Sequence, residues 1–301
     1  MGALLLTTLI WGFSFTLIGS VLKGIDPFLI ASLRLGLACL CFLPFLRLES
    51  VRGRGRWLLM GIGALQFGCM YVAYLSAFAF APTYMVALFS SFTPMWISLM
   101  AAFLKPVSPT RLWLAGLLAT AGALLIRSGQ ELEQEGIWTA FALMQVSNIC
   151  FGGGQLAYRS WKRTHPGLRE RDSFAWLYLG GFLLSLFFTL FRLLPSGELP
   201  EIRPLQGGVI VYLGLIASGL GFFLWNYGAS RVSTAALAAA NNLVVPLGVL
   251  VALIFGDVQP NWSLFLPGAA CIAAALALAP REPFVQGEAR SATPVEKNAR
   301  R

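Results

Sequence analysis

Arg34 is the one charged side chain that lies well inside an apolar stretch of this sequence. It follows Pro27 by about two helical turns, roughly 10 Å along the stretch at 1.5 Å per residue. A cation in apolar surroundings is costly, and it often marks a substrate or ion site. We predict that the guanidinium pairs with a carboxylate of a small ligand. The alternatives are an arginine that extends to the membrane surface and one that donates to backbone carbonyls.

A few amides, hydroxyls and aromatic rings accompany Arg34 within the apolar stretches. Apolar walls with a few placed polar groups suit a small neutral or amphipathic ligand. Each residue also has a structural alternative, because amides join helices in membranes and Trp or Tyr near a helix end often marks the interface. With Arg34, the predicted substrate-binding residues are Trp11, Gln66, Tyr71, Tyr74, Ser91, Asn148, Gln155, Trp225, Asn226, Tyr227, Asn241 and Asn242.

Pro94 and Pro246 interrupt two apolar stretches near their middle. A proline within a helix removes one backbone donor and frees the carbonyl four residues earlier, here those of Ser90 and Asn242. Membrane helices tolerate this where a cavity or a polar neighbour satisfies the backbone again. We predict that the two prolines are hinges or cavity walls, and the alternative is a kink that only shapes the packing.

The acidic residues, histidine and cysteines are placed unfavourably for catalysis. Asp26 and Asp257 lie at the ends of apolar stretches, and the single histidine, His165, lies in a loop. The five cysteines include no C-x-x-C pair, so zinc is not indicated. We therefore predict no catalytic residues, no metal site and no cofactor. A proton relay commonly uses buried carboxylates or histidine, so a proton relay is not indicated either.

Composition indicates that helices in a membrane position these residues. The chain is 57% hydrophobic and 12% charged, whereas soluble domains are nearer 25% charged. The apolar runs are long and do not alternate with period two, which favours helices over a barrel. The predicted fold is an all-α integral membrane protein with ten transmembrane helices, at about residues 3–22, 28–46, 57–80, 84–104, 111–126, 136–158, 174–194, 207–227, 234–255 and 262–280.

The distribution of positive charge predicts orientation. A net charge of +9 could suit nucleic acid, but no basic patch lies on a soluble fold, so nucleic acid is excluded as a partner. The lysines and arginines concentrate instead in alternate loops, which is typical of the cytoplasmic side. This pattern predicts that both termini are cytoplasmic. The polar tail, residues 281–301, is predicted to be disordered.

Part of the sequence occurs twice at constant spacing. Residues 225–246 resemble residues 74–94, with Pro246 at an offset of 152 residues from Pro94. The same offset relates Gly268 to Gly116. Because each repeat would hold five helices, the second must enter the membrane in the opposite orientation. Inverted repeats are typical of secondary carriers whose site lies between the halves. The predicted repeats are residues 3–126 and residues 136–280.

Several of these features together resemble a known family. The WGFSF motif (residues 11–15), Arg34, Pro94, and the pair Gly116 and Gly122 occur in an order similar to that of the EamA-type drug/metabolite transporter superfamily. The resemblance covers about residues 3–280. Three further segments resemble the biotin carriers of that superfamily, at residues 145–159, 174–183 and 217–250.

The resemblance implies ten helices, cytoplasmic termini, a bacterial inner membrane and uptake of biotin by alternating access. The carboxylate of biotin would meet Arg34, and its ring system would meet amides and aromatic rings. The expected cavity is lined by the first, third, fourth, sixth, eighth and ninth helices. The expected partners are a small substrate, biotin or a similar carboxylate or amino acid, and the lipid bilayer; no oligomeric state is predicted. Alternatives are an exporter of amino acids or other metabolites and, disfavoured by the missing catalytic set, a membrane enzyme.

Overall fold

The chain is a bundle of α-helices. The computed structural model describes residues 1–49, 51, 53–81, 83–104, 109–126, 136–193, 195, 201–247 and 261–278, and this part contains no β-strand. The predicted tail, residues 281–301, and the end of the predicted segment 234–255 lie outside the described residues. The helices are α1 (Gly2–Val21), α2 (Pro27–Phe42), α3 (Arg54–Gly63), α4 (Met70–Ala77), α5 (Thr83–Ser90), α6 (Thr93–Leu104), α7 (Pro109–Ile126), α8 (Ile137–Thr164), α9 (Glu170–Leu193), α10 (Pro204–Tyr212), α11 (Gly221–Ala229), α12 (Thr234–Asn241) and α13 (Trp262–Leu278).

Helix lengths and composition identify a multi-pass membrane protein. Within the described residues, six helical stretches are long and apolar enough to cross a bilayer, and three shorter apolar helices accompany them. The six are Gly2–Val21, Pro27–Phe45, Arg54–Ala77, Met85–Phe103, Glu170–Leu193 and Pro204–Ala229, and the shorter ones are Trp113–Ile126, Thr234–Leu247 and Trp262–Leu278. The 28-residue helix α8 is also long enough to span, but it carries more polar residues.

Two stretches combine α-helical turns with a π-helical segment. Ala64–Cys69 joins α3 to α4, and Leu213–Leu220 joins α10 to α11. A π-segment widens the helix and leaves carbonyls without their usual helical partner. The hydroxyl of Tyr178 on α9 donates to the carbonyls of Ser218 (2.8 Å) and Gly219 (2.6 Å) in the second segment. Such segments often occur at functional sites.

The helices that contain the two predicted hinge prolines are interrupted rather than merely kinked. Helix α5 ends at Ser90 and α6 begins at Thr93, so Pro94 is the second residue of α6, where its missing N–H is not needed. The Ser90 carbonyl accepts a hydrogen bond from the Thr93 hydroxyl (2.7 Å). Helix α12 ends at Asn241, and Pro246 lies in the short helical segment 244–247 that follows.

Asn242 fixes these two breaks to each other. Its side-chain nitrogen donates to the carbonyl of Ser91, in the first break, and to the carbonyl of Ala119 on α7, both at 2.9 Å. Its own carbonyl accepts from the Val245 backbone N–H (3.1 Å). One buried amide therefore pairs a backbone carbonyl of the first break and ties both breaks to α7.

Replacement of Asn242 by alanine should lower the free energy of unfolding by about 1–3 kcal/mol, because the buried Ser91 carbonyl loses its donor and the tie to α7 is lost. The measurement is thermal unfolding of the purified protein in detergent. Asn241→Ala is the matched control, since within the described ranges the Asn241 amide donates to the Leu237 carbonyl of its own helix alone (2.8 Å). Equal destabilisation by both substitutions would contradict this role of Asn242.

Backbones approach each other closely at two helix crossings. A Cβ added to Gly63 on α3 would lie 1.9 Å from the Leu177 carbonyl oxygen, and one added to Gly180 on α9 would lie 2.0 Å from the Met60 carbonyl oxygen. Helices α7 and α13 meet in the same way. Small residues at these crossings let the helices pack without intervening side chains.

Candidate functional site

A cavity of about 110 Å³ lies at the centre of the bundle. Its wall comes from the predicted first, third, fourth, sixth, eighth and ninth helices, and also from the second, through Arg34. Half-helices α5 and α12 contribute Ser90 and Asn241 beside their breaks. The volume has room for several water molecules, at about 10–15 Å³ each. Six predicted residues line it: Trp11, Arg34, Tyr71, Tyr74, Asn148 and Asn241.

Arg34 is 2% exposed and is held by two hydroxyl groups. Its Nε donates to the Ser218 Oγ (3.2 Å), and its Nη2 donates to the Tyr71 hydroxyl (2.6 Å). The guanidinium carbon lies 4.4 Å from the centre of the Tyr71 ring, a cation–π contact. Both hydroxyls are neutral, and among the described residues no carboxylate pairs with Arg34.

The remaining nitrogen of Arg34, Nη1, is buried and has no hydrogen-bond partner among the described residues. A buried donor without a partner is destabilising by about 1–3 kcal/mol, and more for a charged group. Native proteins tolerate such a group mainly where a ligand, an ion or water completes it. Because Arg34 lines the cavity, the geometry offers an anion both a full positive charge and a free N–H.

Ser218 was not predicted from the sequence, yet it orders this part of the site. Its hydroxyl contacts the Tyr71 hydroxyl (2.9 Å), accepts from Arg34, and donates to the Leu213 carbonyl (2.7 Å). Leu213 and Ser218 are the i and i+5 residues of the π-segment. The widened turn therefore sets the position of Ser218. No short sequence pattern predicts such a turn.

Asn148 on α8 also lines the cavity, and its side chain is hydrogen-bonded to two other helices. Its Nδ2 donates to the carbonyl of Phe89 on α5 (2.8 Å), and its Oδ1 accepts from the Thr93 hydroxyl on α6 (3.0 Å). Asn148 thus joins α8 to both half-helices across the break. Thr93 and Ser147 also line the cavity, and they add polar groups that the sequence prediction did not include.

Aromatic rings close one side of the cavity. The ring of Trp11 lies 5.7 Å from that of Phe151, 5.3 Å from that of Phe222 and 5.0 Å from that of Trp225, between centroids. The indole N–H of Trp11 donates to the Ala217 carbonyl (2.9 Å). Trp11, Phe151 and Phe222 line the cavity, whereas Trp225 is fully buried behind them. Phe151 and Phe222 were not among the predicted residues.

Three of the predicted amides lie one helical turn beyond the cavity. Gln66, Gln155 and Asn226 are each 0% exposed. The Nε2 of Gln66 donates to the Oδ1 of Asn226 (3.1 Å), which joins the two π-containing stretches. The side-chain amide of Gln155 has no hydrogen-bond partner among the described residues. We call these three residues the amide layer.

The remaining predicted residues lie away from the cavity. Ser91 and Asn242 are buried and bonded to each other through the Ser91 carbonyl, so their contacts are structural. Tyr227 is 39% exposed, and the guanidinium carbon of Arg231 lies 3.5 Å from the centre of its ring. The periodicity of α11 explains this, because Asn226 faces the bundle and the next residue turns outward.

Comparison with known proteins agrees with this architecture. The model of the EamA-like transporter family matches residues 1–128. The chain is 38% identical to the biotin transporter of Escherichia coli (strain K12) over 281 residues, 92% of this chain and 91% of that protein. It is 36% identical to the probable biotin transporter of Pseudomonas aeruginosa over 286 residues, 92% of this chain and 96% of the relative. The chain belongs to the EamA-like transporter family.

A solved crystal structure resembles this EamA-like transporter in three dimensions. The alignment has a TM-score of 0.72 and covers 92% of this chain and 95% of the other, at 20% sequence identity. At that identity the likeness concerns the fold alone. It indicates that the helical arrangement around the cavity is one that a second protein also adopts.

The cavity of this EamA-like transporter is suited to binding. Among the described residues that line it, Arg34 alone is charged. In the same part of the chain, no group of three or more His, Cys, Asp or Glu side chains is placed to hold a metal ion. One cation, several hydroxyls and amides, and a wall of aromatic rings can recognise a small amphipathic anion.

Proposed function

We propose that this chain is a secondary carrier that takes up biotin across the bacterial inner membrane by alternating access. The observation that carries the proposal is the buried Arg34, whose Nη1 lacks a partner among the described residues in a cavity otherwise lined by neutral side chains. The identity to biotin transporters over nine tenths of the chain supports the choice of substrate.

In the proposed binding mode, each of the three parts of biotin meets a different part of the cavity. Its carboxylate would accept hydrogen bonds from Arg34, since charge-assisted bonds to a guanidinium are the strongest available there. Its ureido ring would meet the polar groups around Thr93, Asn148 and Asn241. Its apolar body would pack against Trp11 and the other aromatic rings, as is usual for small ligands in apolar pockets. In this assignment the amide layer and Trp225 support the site from behind.

The proposed membrane layout has ten crossings in two inverted halves, residues 3–126 and 136–280, with residues 281–301 as a cytoplasmic tail. The six long apolar stretches, the three shorter helices and α8 supply ten candidates. The two halves carry matching irregularities, because each contains a π-segment and an interrupted helix followed by a proline. Interrupted helices at the substrate site are typical of carriers with inverted repeats.

The charge pattern supports cytoplasmic termini and an outward-facing state. On α8 the residues that line the cavity lie between Met144 and Phe151, whereas Arg159, Lys162 and Arg163 lie at its other end. Positive residues favour the cytoplasmic side, so the cavity would lie nearer the outside. The Gln66–Asn226 pair and the aromatic rings would then close the inner side and separate when the carrier turns inward.

Cells that lack their own biotin synthesis and uptake should accumulate labelled biotin when they express this chain, because the cavity presents a cation to the carboxylate. The measurement is initial uptake at a range of concentrations, with empty vector as control. Uptake should saturate, and excess unlabelled biotin should suppress it. The neutral amide of biotin should compete weakly, since it cannot form an ion pair with Arg34.

Three outcomes would each contradict a part of this proposal. Uptake equal to that of the empty vector, with the protein present in the membrane, would remove biotin import. Faster loss of preloaded amino acids or other metabolites from the same cells would support the alternative, an exporter. Equal competition by biotin and its amide would show that biotin is the substrate but that its carboxylate does not pair with Arg34.

A further inference from the structure

A second cavity, which we call the basic groove, lies at the end of the bundle where the basic loops are concentrated. Its volume is about 1130 Å³, far larger than that of the central cavity. It lies between α3, α6 and α8, and it reaches the start of α12. The residues that define it for the argument below are Arg54, Leu58, Phe103, Trp161 and Arg163.

Positive charge collects in the basic groove. Arg54, Arg159 and Arg163 line it, and none of the described residues in its wall is acidic. The terminal nitrogens of Arg159 donate to two neutral oxygens, the Thr234 hydroxyl (2.9 Å) and the Val232 carbonyl. Within the described ranges, neither Arg54 nor Arg163 forms an ion pair. The groove therefore attracts an anion, and no acidic residue of its described wall repels it.

Further hydrogen-bond donors accompany these charges. Helix α3 begins at Arg54, and Arg54 and Gly55 both line the groove. The first N–H groups of a helix lack intrahelical partners, and they bind phosphate well. Trp161 also lines the groove and is 5% exposed, and its indole N–H has no partner among the residues that the structure describes.

The rest of the groove wall is apolar and open to the side of the bundle. Leu58 on α3 is 54% exposed and Phe103 on α6 is 84% exposed. Met100 and Leu156 continue this wall toward the inside of the bundle. A soluble anion would gain nothing from these side chains, whereas the acyl chain of a lipid would gain van der Waals contact with them while its head group stays at the basic residues.

We propose that the basic groove binds one anionic phospholipid of the cytoplasmic leaflet. The phosphate lies at Arg54 and Arg163, and an acyl chain lies along Leu58 and Phe103. Basic pockets between membrane helices on the cytoplasmic side recognise such head groups. The site rests on the orientation proposed above, because the groove must face the cytoplasmic leaflet. It does not depend on the identity of the transported substrate.

The test is lipid binding to the purified full-length protein in a neutral detergent, followed by native mass spectrometry. Phosphatidylglycerol should bind as one retained molecule and more tightly than phosphatidylcholine. Arg54→Gln and Arg163→Gln should each weaken phosphatidylglycerol binding about fivefold, which corresponds to about 1 kcal/mol for each basic residue. Lys23→Gln removes an exposed charge from the opposite end of the bundle, and it should leave the affinity unchanged.

A second variant and a soluble probe separate a lipid site from a general anion site. Phe103→Ser should weaken binding of both lipids and preserve the preference for phosphatidylglycerol. Glycerol phosphate without acyl chains should not compete. Equal affinity for the two lipids, full competition by glycerol phosphate, or an equal loss in Lys23→Gln would each overturn the proposal. No transported substrate enters the assay, so its failure is distinct from a failure of biotin uptake.

Discussion

Replacement of Arg34 by alanine should lower the specific rate of biotin uptake by at least about 100-fold while the protein still reaches the membrane. Loss of one partner from a buried ion pair costs about 3–5 kcal/mol, and each 1.4 kcal/mol corresponds to a factor of ten. The pairing takes place in a cavity in which Arg34 is the one charged residue among the described residues of the wall. No other cation there can replace it. The measurement is initial uptake normalised to the amount of protein in the membrane.

Three further variants separate charge from architecture. Arg34→Lys keeps the charge and loses the planar fork of donors, so it should recover part of the activity. Tyr71→Phe keeps the ring next to the guanidinium and removes one hydroxyl, and it should reduce uptake about tenfold, consistent with about 1.5 kcal/mol for a hydrogen bond to a charged group. Arg169→Ala, an exposed arginine outside the cavity, should behave as the wild type.

The neutral amide of biotin gives the most specific readout. The wild type should bind biotin much more tightly than the amide, and Arg34→Ala should lose this preference. If Arg34→Ala transports biotin at the normal rate, or loses activity yet still prefers biotin to its amide, then Arg34 stabilises the helix packing and does not bind the carboxylate.

Gly63→Ala should destabilise the protein by at least about 3 kcal/mol, because the added methyl group cannot fit. It would lie 1.9 Å from the Leu177 carbonyl oxygen on α9, so the two helices would have to move apart over much of their contact. Overpacking typically costs 1–3 kcal/mol where side chains can adjust, but here the obstacle is backbone. Thermal unfolding in detergent and the yield of monodisperse protein are the measurements.

Gly61→Ala is the matched control on the same helix. A Cβ at Gly61 meets nothing within 4 Å, so the substitution should be neutral or slightly stabilising, since alanine favours helices over glycine. Gly180→Ala should resemble Gly63→Ala, and the double variant should cost less than the sum, because both methyl groups separate the same pair of helices. Equal behaviour of Gly61→Ala and Gly63→Ala would contradict the close crossing.

The sequence predicted the helical class and the site's central residue for physical reasons that are local. A bilayer requires long apolar runs, so α1 and α9 are recognisable from composition alone. A cation within such a run is conspicuous, and Arg34 does line the cavity. The aromatic residue Trp11 and the hydroxyl of Tyr71 were found because polar or large side chains stand out among aliphatic ones.

The parts that the sequence did not reveal depend on tertiary contacts. Ser218 acquires its position from a π-segment, and serine has no special pattern in a helix. Asn242 looks like a ligand-binding amide, but its donors are used by the Ser91 carbonyl in the first break and by the Ala119 carbonyl on α7. The predicted segment 136–158 ends earlier than α8, which continues to Thr164. The last turns of α8 are polar and resemble a loop in sequence, and the contact of Arg159 with the Val232 carbonyl is a tertiary one that the sequence does not show.

The glycine crossings also have a consequence for how the protein is made. Gly63 and Gly122 lie early in the chain, and the backbones that they touch, at Leu177 and Gly268, are synthesised much later. Helices insert before they associate. Helices α3 and α7 therefore enter the bilayer before the helices that pack against Gly63 and Gly122 have been synthesised. A chain that is released after α7 would contain Gly63 and Gly122 but would lack α9 and α13, the helices that pack against them. These two crossings can therefore form only after α9 and α13 have been synthesised.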